Sequence, residues 1–358
     1  MSDPVAPRDD LAALVGYHSP QLDVSVRLNT NESPFEPPLE FVDRWLDELR
    51  STSLNRYPDR DARELRDALG KHLGQPAERL FCANGSNEVL QTLLLTYGGQ
   101  GRKVLTFEPT YALHSHIANI TGTDVVHGTR RDDFTIDPDA AVALIREVQP
   151  TITFVCSPNN PSGTVEPDAT LDAILEVAPG LVVVDEAYGE FAPRSAIGRV
   201  DDDGRLVVVR TYSKVWSMAA LRLGFAVAPP WLVEQLEQVV LPYHLDVPTQ
   251  IAGRVALDWS DAMGARVEQL VAERERVQRV LVEVDGLIAY PSGANFVLFR
   301  VDGNARAVWQ AMVNRGVLVR DFSSNPNTEA CLRITIGTSE ENDQFLDALR
   351  ASIDERLT

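Results

Sequence analysis

The chain has 358 residues, 44% of them apolar and 24% charged, enough to bury a sizeable core in two domains or in one large domain with a smaller partner. With 52 acidic against 33 basic residues its net charge is -19; such a surface repels nucleic acid and anionic membranes, so any phosphate ligand needs a local basic pocket. Three scattered cysteines, Cys82, Cys156 and Cys331, form neither a disulfide framework nor a metal set and read as reduced thiols of a cytoplasmic protein.

Residues 1–40 are rich in Pro, Asn, Asp and Ser and read as an arm lying over the body, with one short helix over 9–15. The first ten residues hold three acids and no apolar run, unlike a signal peptide or a lipidation motif. No window approaches a transmembrane length.

Helical spacing of Phe41, Val42, Trp45, Leu46 and Leu49 predicts a helix over 39–49, and Leu65, Leu69 and Leu73 predict another. Tyr57-Pro58 lies between them. A short strand over 80–83 leads into Asn84-Gly85-Ser86-Asn87-Glu88 and a helix over 89–97. The glycine permits a tight turn, and the free donors at the helix start, with Ser86 and Asn87, make an anion site; an ordinary cap explains Ser86 equally well.

A strand over 104–107 ends in Glu108-Pro109-Thr110-Tyr111, where an aromatic can lie flat on a heteroaromatic ring. His114, His116 and His127 lack a metal-ligand pattern and read as surface or packing residues; no metal is expected. A buried strand over 152–155 runs into Asn159-Asn160-Pro161-Ser162-Gly163, a turn in most proteins. The apolar run 181–184 ends in Asp185-Glu186-Ala187-Tyr188. A carboxylate at that point is costly to leave unpaired, so Asp185 either caps a helix or meets a cation such as a protonated ring nitrogen.

The run 206–209 reads as a buried parallel strand, which puts Thr211, Ser213 and Lys214 just beyond its carboxyl end, where open α/β sheets bind ligands. A lysine held there and partly desolvated can form a Schiff base with an aldehyde. Arg222, eight residues on, and the two hydroxyls add an anion cradle.

A strand over 224–228 and a helix over 231–240 follow, and 241–248 breaks the pattern at a hinge. One long helix is expected over 251–284. The remainder alternates strand and helix: 287–290, 295–300, 305–315, 317–320 and 331–336. Arg320 and Arg333 lie in the last strands; a guanidinium there grips a carboxylate or phosphate, or pairs with a nearby acid. The expected division is an arm (1–40), a large domain (41–245) and a small C-terminal domain (246–358).

Taken together, strand–Asn160-Pro161-Ser162-Gly163, strand–Asp185 to Tyr188, and strand–Ser213-Lys214 with Arg222 resemble the cofactor segments of fold-type I aminotransferases. Their order and their placement after strands agree. The segments 26–34, 316–322 and 331–338 resemble those of histidinol-phosphate aminotransferases. The resemblance implies an α/β fold, with a large domain built on a mostly parallel sheet flanked by helices and a smaller C-terminal α/β domain joined by the arm.

It also implies pyridoxal 5'-phosphate carried by Lys214, its phosphate held by Arg222, Gly85, Ser86, Asn87, Thr211 and Ser213, and its ring stacked on Tyr111. Asp185 would face the ring nitrogen, and Asn160 and Tyr188 the phenolic oxygen. Tyr57 would reach the cofactor of the other subunit in a homodimer, and Tyr17, Asn31, Arg320 and Arg333 would meet substrate. The implied reaction is transamination of L-histidinol phosphate with 2-oxoglutarate, giving glutamate, in histidine biosynthesis.

Aromatic-amino-acid aminotransferases and a threonine-phosphate decarboxylase share this framework. A non-catalytic pyridoxal-phosphate regulator would keep the motifs too, normally fused to a basic DNA-binding module. A dinucleotide-binding oxidoreductase should show a Gly-x-Gly-x-x-Gly turn after an early strand, and none appears.

Overall fold

The computed structural model describes residues 5–6, 8–12, 14–16 and 20–357. In chain order, β1 (Val26–Leu28) precedes α1 (Leu39–Arg50) and α2 (Arg63–Leu73). Then β2 (Leu80–Asn84), α3 (Gly85–Tyr97), β3 (Lys103–Glu108), α4 (Leu113–Ile120), β4 (Asp124–Thr129) and α5 (Pro138–Val148) follow. Next come β5 (Ile152–Cys156), α6 (Asp168–Val177), β6 (Leu181–Asp185), β7 (Leu206–Thr211), β8 (Leu223–Val227) and α7 (Pro230–Val239). The C-terminal part holds α8 (Val247–Ala256), α9 (Ser260–Val282), β9 (Leu287–Ala289), β10 (Phe296–Val301), α10 (Ala305–Asn314), β11 (Val317–Asp321), β12 (Cys331–Thr335) and α11 (Ser339–Leu357).

Seven strands form the larger sheet in the order β2-β8-β7-β6-β5-β3-β4, with β8 antiparallel to both of its neighbours and the others running one way. Its central strands β5, β6 and β7 are buried at every position because helices cover both faces. Along β6, Val182 and Val184 join the core layer on one side while Leu181 and Val183 join the other. Since β5, β6 and β7 are parallel and in register (Cys156 with Asp185, Asp185 with Val209), their carboxyl ends fall at one edge. A buried ion pair ties two of those ends together: Arg210 on β7 donates to Glu186 just past β6 at 2.7 and 3.0 Å. Removing one partner of such a pair strands a buried charge, at a cost of about 3–5 kcal/mol.

The smaller sheet has the order β1-β11-β12-β10-β9. Here β1 runs parallel to β11 (Val26 opposite Val317), and the other pairs are antiparallel. Val26 and Leu28 are buried and Arg27 is exposed, so this piece of the arm alternates as a strand should. This piece of the arm is therefore an edge strand of a sheet whose other members lie about 260 residues or more further along.

Two expected helices differ from the observed ones. Over 9–15 only a 3₁₀ turn, Asp9–Leu11, forms among the described residues, with no buried side chain to hold anything longer. The long helix over 251–284 is two helices, α8 and α9, separated by a 3₁₀ turn at Leu257–Trp259. Asp246 caps α8 through the Thr249 N–H at 2.8 Å, and Trp259 packs edge-on to Phe41 of α1 at 5.9 Å. The turn thus falls where the chain meets a distant helix.

Candidate active site

A cavity of about 290 Å³ opens where the carboxyl ends of β5, β6 and β7 meet the arm and β12. Its first wall is the edge of the larger sheet. Asp185 is the last residue of β6 and is buried; its Oδ1 accepts from the Ala187 N–H at 3.0 Å, and its Oδ2 lies 2.8 Å from His114 Nε2. His114, wholly buried, stacks on Phe154 of β5 with ring centroids 4.6 Å apart, and Tyr111 meets it edge-on at 5.5 Å. Tyr111 donates from its hydroxyl to Asn87 Oδ1 at 3.1 Å.

Past β7, Thr211 donates to the Ser213 hydroxyl at 3.0 Å, and Arg222 donates to the same hydroxyl at 3.3 Å. Backbone approach is close here. A Cβ on Gly224 would lie 2.2 Å from the Ser86 nitrogen, and one on Gly85, which has φ +79°, would lie 2.6 Å from Arg222 Nη2. Only glycine lets β8 and the start of α3 come together beside the Arg222 guanidinium, leaving the first N–H groups of α3, Ser86 and Asn87 around one small space.

The second wall is the arm and the smaller sheet. Asn31, buried in a left-handed conformation (φ 56°), donates from Nδ2 to the Tyr188 hydroxyl at 2.9 Å. Asn160 Nδ2 lies 3.4 Å from the same hydroxyl. Arg333 of β12 donates to Asn160 Oδ1 at 2.5 Å and to the Asn29 carbonyl at 3.1 Å, and its guanidinium lies over the rings of Phe296 and Phe322. Lys214 reaches across from the first wall: its Nζ donates to the Thr30 carbonyl at 3.2 Å and stands 5.8 Å from the centre of the Tyr188 ring.

These surroundings set the charges. Burial, reinforced by the Arg333 guanidinium, lowers the Lys214 amine to about 8. Burial pushes the Tyr188 phenol up to about 12, against the pull of Arg333 and of the Asn31 hydrogen bond. Cys156, which also lines the cavity, is pushed up by burial and then by Asp185. At neutral pH the site thus holds an amine that yields its proton easily, a neutral phenol and a neutral thiol.

Of the residues singled out from the sequence, Lys214, Asp185, Tyr188, Asn160, Tyr111, Ser86, Asn87, Thr211, Ser213, Arg222, Asn31 and Arg333 line this cavity, and Gly85 backs it. Tyr17 lies outside the described residues. Arg320 is the register partner of Arg333 on β11 but does not line the cavity; its guanidinium sits 5.9 Å from the Phe322 ring centre. Tyr57 stands 80% exposed, stacked on Tyr243 at 4.5 Å, away from this chain's cavity.

The reading of His114 as a mere surface or packing residue is corrected by its contact with Asp185. Tyr111 lies just before α4 and His114 in its first turn, so three residues of spacing were all the sequence offered to link them. Asn29, Thr30 and Glu32 were also passed over, being indistinguishable in sequence from turn residues. His127 is half exposed and bonds Thr106, as a packing residue would.

The profile of the family described as aminotransferase class I and II matches residues 24–349, and the chain belongs to that family. Among its relatives, the histidinol-phosphate aminotransferase of Corynebacterium diphtheriae is 46% identical over 353 residues, covering 96% of this chain and 95% of the relative. That of Mycobacterium avium (strain 104) is 45% identical over 354 residues, covering 95% of this chain and 87% of the relative. The solved structure of the Sinorhizobium meliloti histidinol-phosphate aminotransferase in complex with pyridoxal-5'-phosphate shares the fold, with a TM-score of 0.84 at 24% identity, covering 93% of this chain and 92% of that one.

Proposed function

We propose that this protein binds pyridoxal 5'-phosphate and transaminates L-histidinol phosphate, with 2-oxoglutarate as the acceptor that becomes glutamate, in histidine biosynthesis. The observation that carries this is the convergence of Lys214, Asp185, Asn160, Tyr188 and Arg333 on one cavity in a chain about 45% identical to histidinol-phosphate aminotransferases over nearly its whole length.

The residues fit the cofactor. The glycine-lined cradle beside Arg222 has the room and the donors for a phosphate, and Asp185 offers a buried carboxylate to a protonated ring nitrogen. Among the described residues Lys214 forms no ion pair, and its Nζ donates to the Thr30 carbonyl. Bound there, pyridoxal phosphate supplies an electron sink for the charge that develops at the substrate's α-carbon. Asp185, oriented by His114 and the Ala187 N–H, would pair with a protonated ring nitrogen. Lys214, lowered to about 8, takes and returns the α-proton near neutral pH.

Asn160 and Tyr188 would hold the cofactor's phenolic oxygen, and Tyr111 would pack beside its ring. Arg333 receives the substrate's anionic group, with Arg320 beside it on β11. Tyr17 of the arm would complete the substrate side, and Asn31 lines the cavity beside Tyr188. The active unit is a homodimer in the cytoplasm, in which Tyr57 of the partner subunit reaches the cofactor phosphate. The two sheets support a division into the arm (1–40), a large domain (41–245) and a small domain (246–358).

The test is a single-turnover absorbance measurement on cofactor-loaded protein mixed with L-histidinol phosphate or with L-phenylalanine. Fast conversion by histidinol phosphate and slow conversion by phenylalanine are expected. The reverse order would make it an aromatic aminotransferase, and release of carbon dioxide from threonine phosphate a decarboxylase.

A further inference from the structure

We propose that Asn31 is a positioning residue: anchored by Thr335 of the smaller sheet, it orients the Tyr188 hydroxyl so that its proton points into the cavity. The family resemblance implies a substrate role for Asn31, but its side chain is already committed at both ends. Its Oδ1 accepts from the Thr335 hydroxyl at 3.0 Å, and the same hydroxyl oxygen accepts from the Asn31 backbone N–H at 2.9 Å. Thr335 has one hydroxyl proton, and spending it on Oδ1 leaves the amide only one way to face: Nδ2 toward Tyr188.

The phenol oxygen then accepts from two amides, Asn31 Nδ2 at 2.9 Å and Asn160 Nδ2 at 3.4 Å. With its lone pairs occupied, the hydroxyl can act only as a donor, and the open side is the cavity it lines. The Asn295 amide holds the Asn31 carbonyl at 3.2 Å, so the backbone is fixed as well. The left-handed backbone explains the residue type: among side chains that tolerate it, Asp offers no donor and Gly no side chain. The smaller sheet thereby sets the direction of a proton on the larger one.

The proposal rests on pyridoxal phosphate binding in this cavity, and its test needs no substrate. The absorbance of the loaded protein is titrated with pH in wild type, Asn31→Gly, Tyr188→Phe and the double variant. Gly accepts the left-handed backbone and adds no charge, so Lys214, Arg333, Asp185 and Cys156, the titratable groups around the phenol, stay as they are. A donated proton favours the deprotonated chromophore, so Asn31→Gly should raise the midpoint by about one pH unit. In the Tyr188→Phe background the same change should move it by nothing further.

Thr335→Val should shift the midpoint the same way by less, and it serves in the same cycle if Asn31→Gly does not give native far-UV circular dichroism. An unmoved midpoint in the single variant, or equal shifts with and without the Tyr188 hydroxyl, would overturn the proposal while leaving the proposed reaction standing. A protein that takes up no pyridoxal phosphate would overturn both.

Discussion

The two walls of the cavity are built by opposite means. On the larger sheet each functional side chain follows its own strand by a residue or a few: Asp185 ends β6, Asn160 lies four residues past β5, and Lys214 three past β7. Parallel register brings them together without any further device. On the other wall, Asn29, Thr30 and Asn31 come from the arm and Arg333 from β12, and every link between them spans about 300 residues. The first wall is a consequence of the strand order, whereas the second exists only once the arm has joined the smaller sheet. In the proposed function, chemistry on the reacting carbon falls to a wall that a buried core holds, and recognition of the substrate's charge to a wall that long-range polar contacts hold.

Substitutions can pull the two walls apart. The largest effect is expected on the first: Lys214→Ala should lower the transamination rate by more than about 10³-fold, because the proton carrier and the cofactor's anchor go together. A steady-state assay measures it, and a loss under tenfold would remove Lys214 from the reaction.

On the second wall, Arg333→Gln should lower kcat/KM by about 10²-fold and act chiefly through KM, since a bidentate contact to the substrate's anion is lost while the proton carrier stays. An equal fall in kcat with KM unchanged would mean that the walls do not divide the work in this way.

Behind the first wall, Gly224→Ala should destabilise the protein by about 1–3 kcal/mol, and by weakening the cradle should raise the dissociation constant for pyridoxal phosphate. The new Cβ meets the Ser86 backbone nitrogen at 2.2 Å, so β8 and α3 must separate. Denaturant titration and cofactor titration read the two effects, and normal affinity would place the phosphate elsewhere.

The last effect is electrostatic. The Lys214 amine sits at about 8 in the folded chain against an ordinary 10.5. Between these values the unfolded chain binds more protons, so the unfolding free energy of the cofactor-free protein should rise with pH across that window. Below about 8 both states carry the proton and the full penalty remains. Lys214→Met should abolish the rise; a difference between wild type and variant that is constant from about pH 7.5 to about 10 would contradict the lowered value.

Read from residue order alone, the first wall was almost wholly legible, because a polar residue right after a short apolar run marks the end of a buried strand whatever the rest of the chain does. The exception, His114, sits on a helix, where reaching Asp185 depends on how α4 packs against β5 and β6. Arg333 could be singled out as a strand guanidinium, yet its partners could not. The breaking of the long helix at Leu257–Trp259 was hidden for the same reason, since Phe41, on which Trp259 packs, is more than 200 residues away.

What the sequence by itself determined is the run of apolar strands and the polar residues set at their ends, for these depend on local pattern and on burial on both faces of a sheet. Tertiary structure alone decided that Val26–Leu28 of the arm form a strand, that Asn31 meets the Tyr188 hydroxyl, and that His114 meets Asp185. Each depends on hydrogen bonds between distant segments. A donor and an acceptor carry no mark in sequence of which partner they will find, and only the packed chain brings the two within 3 Å of each other.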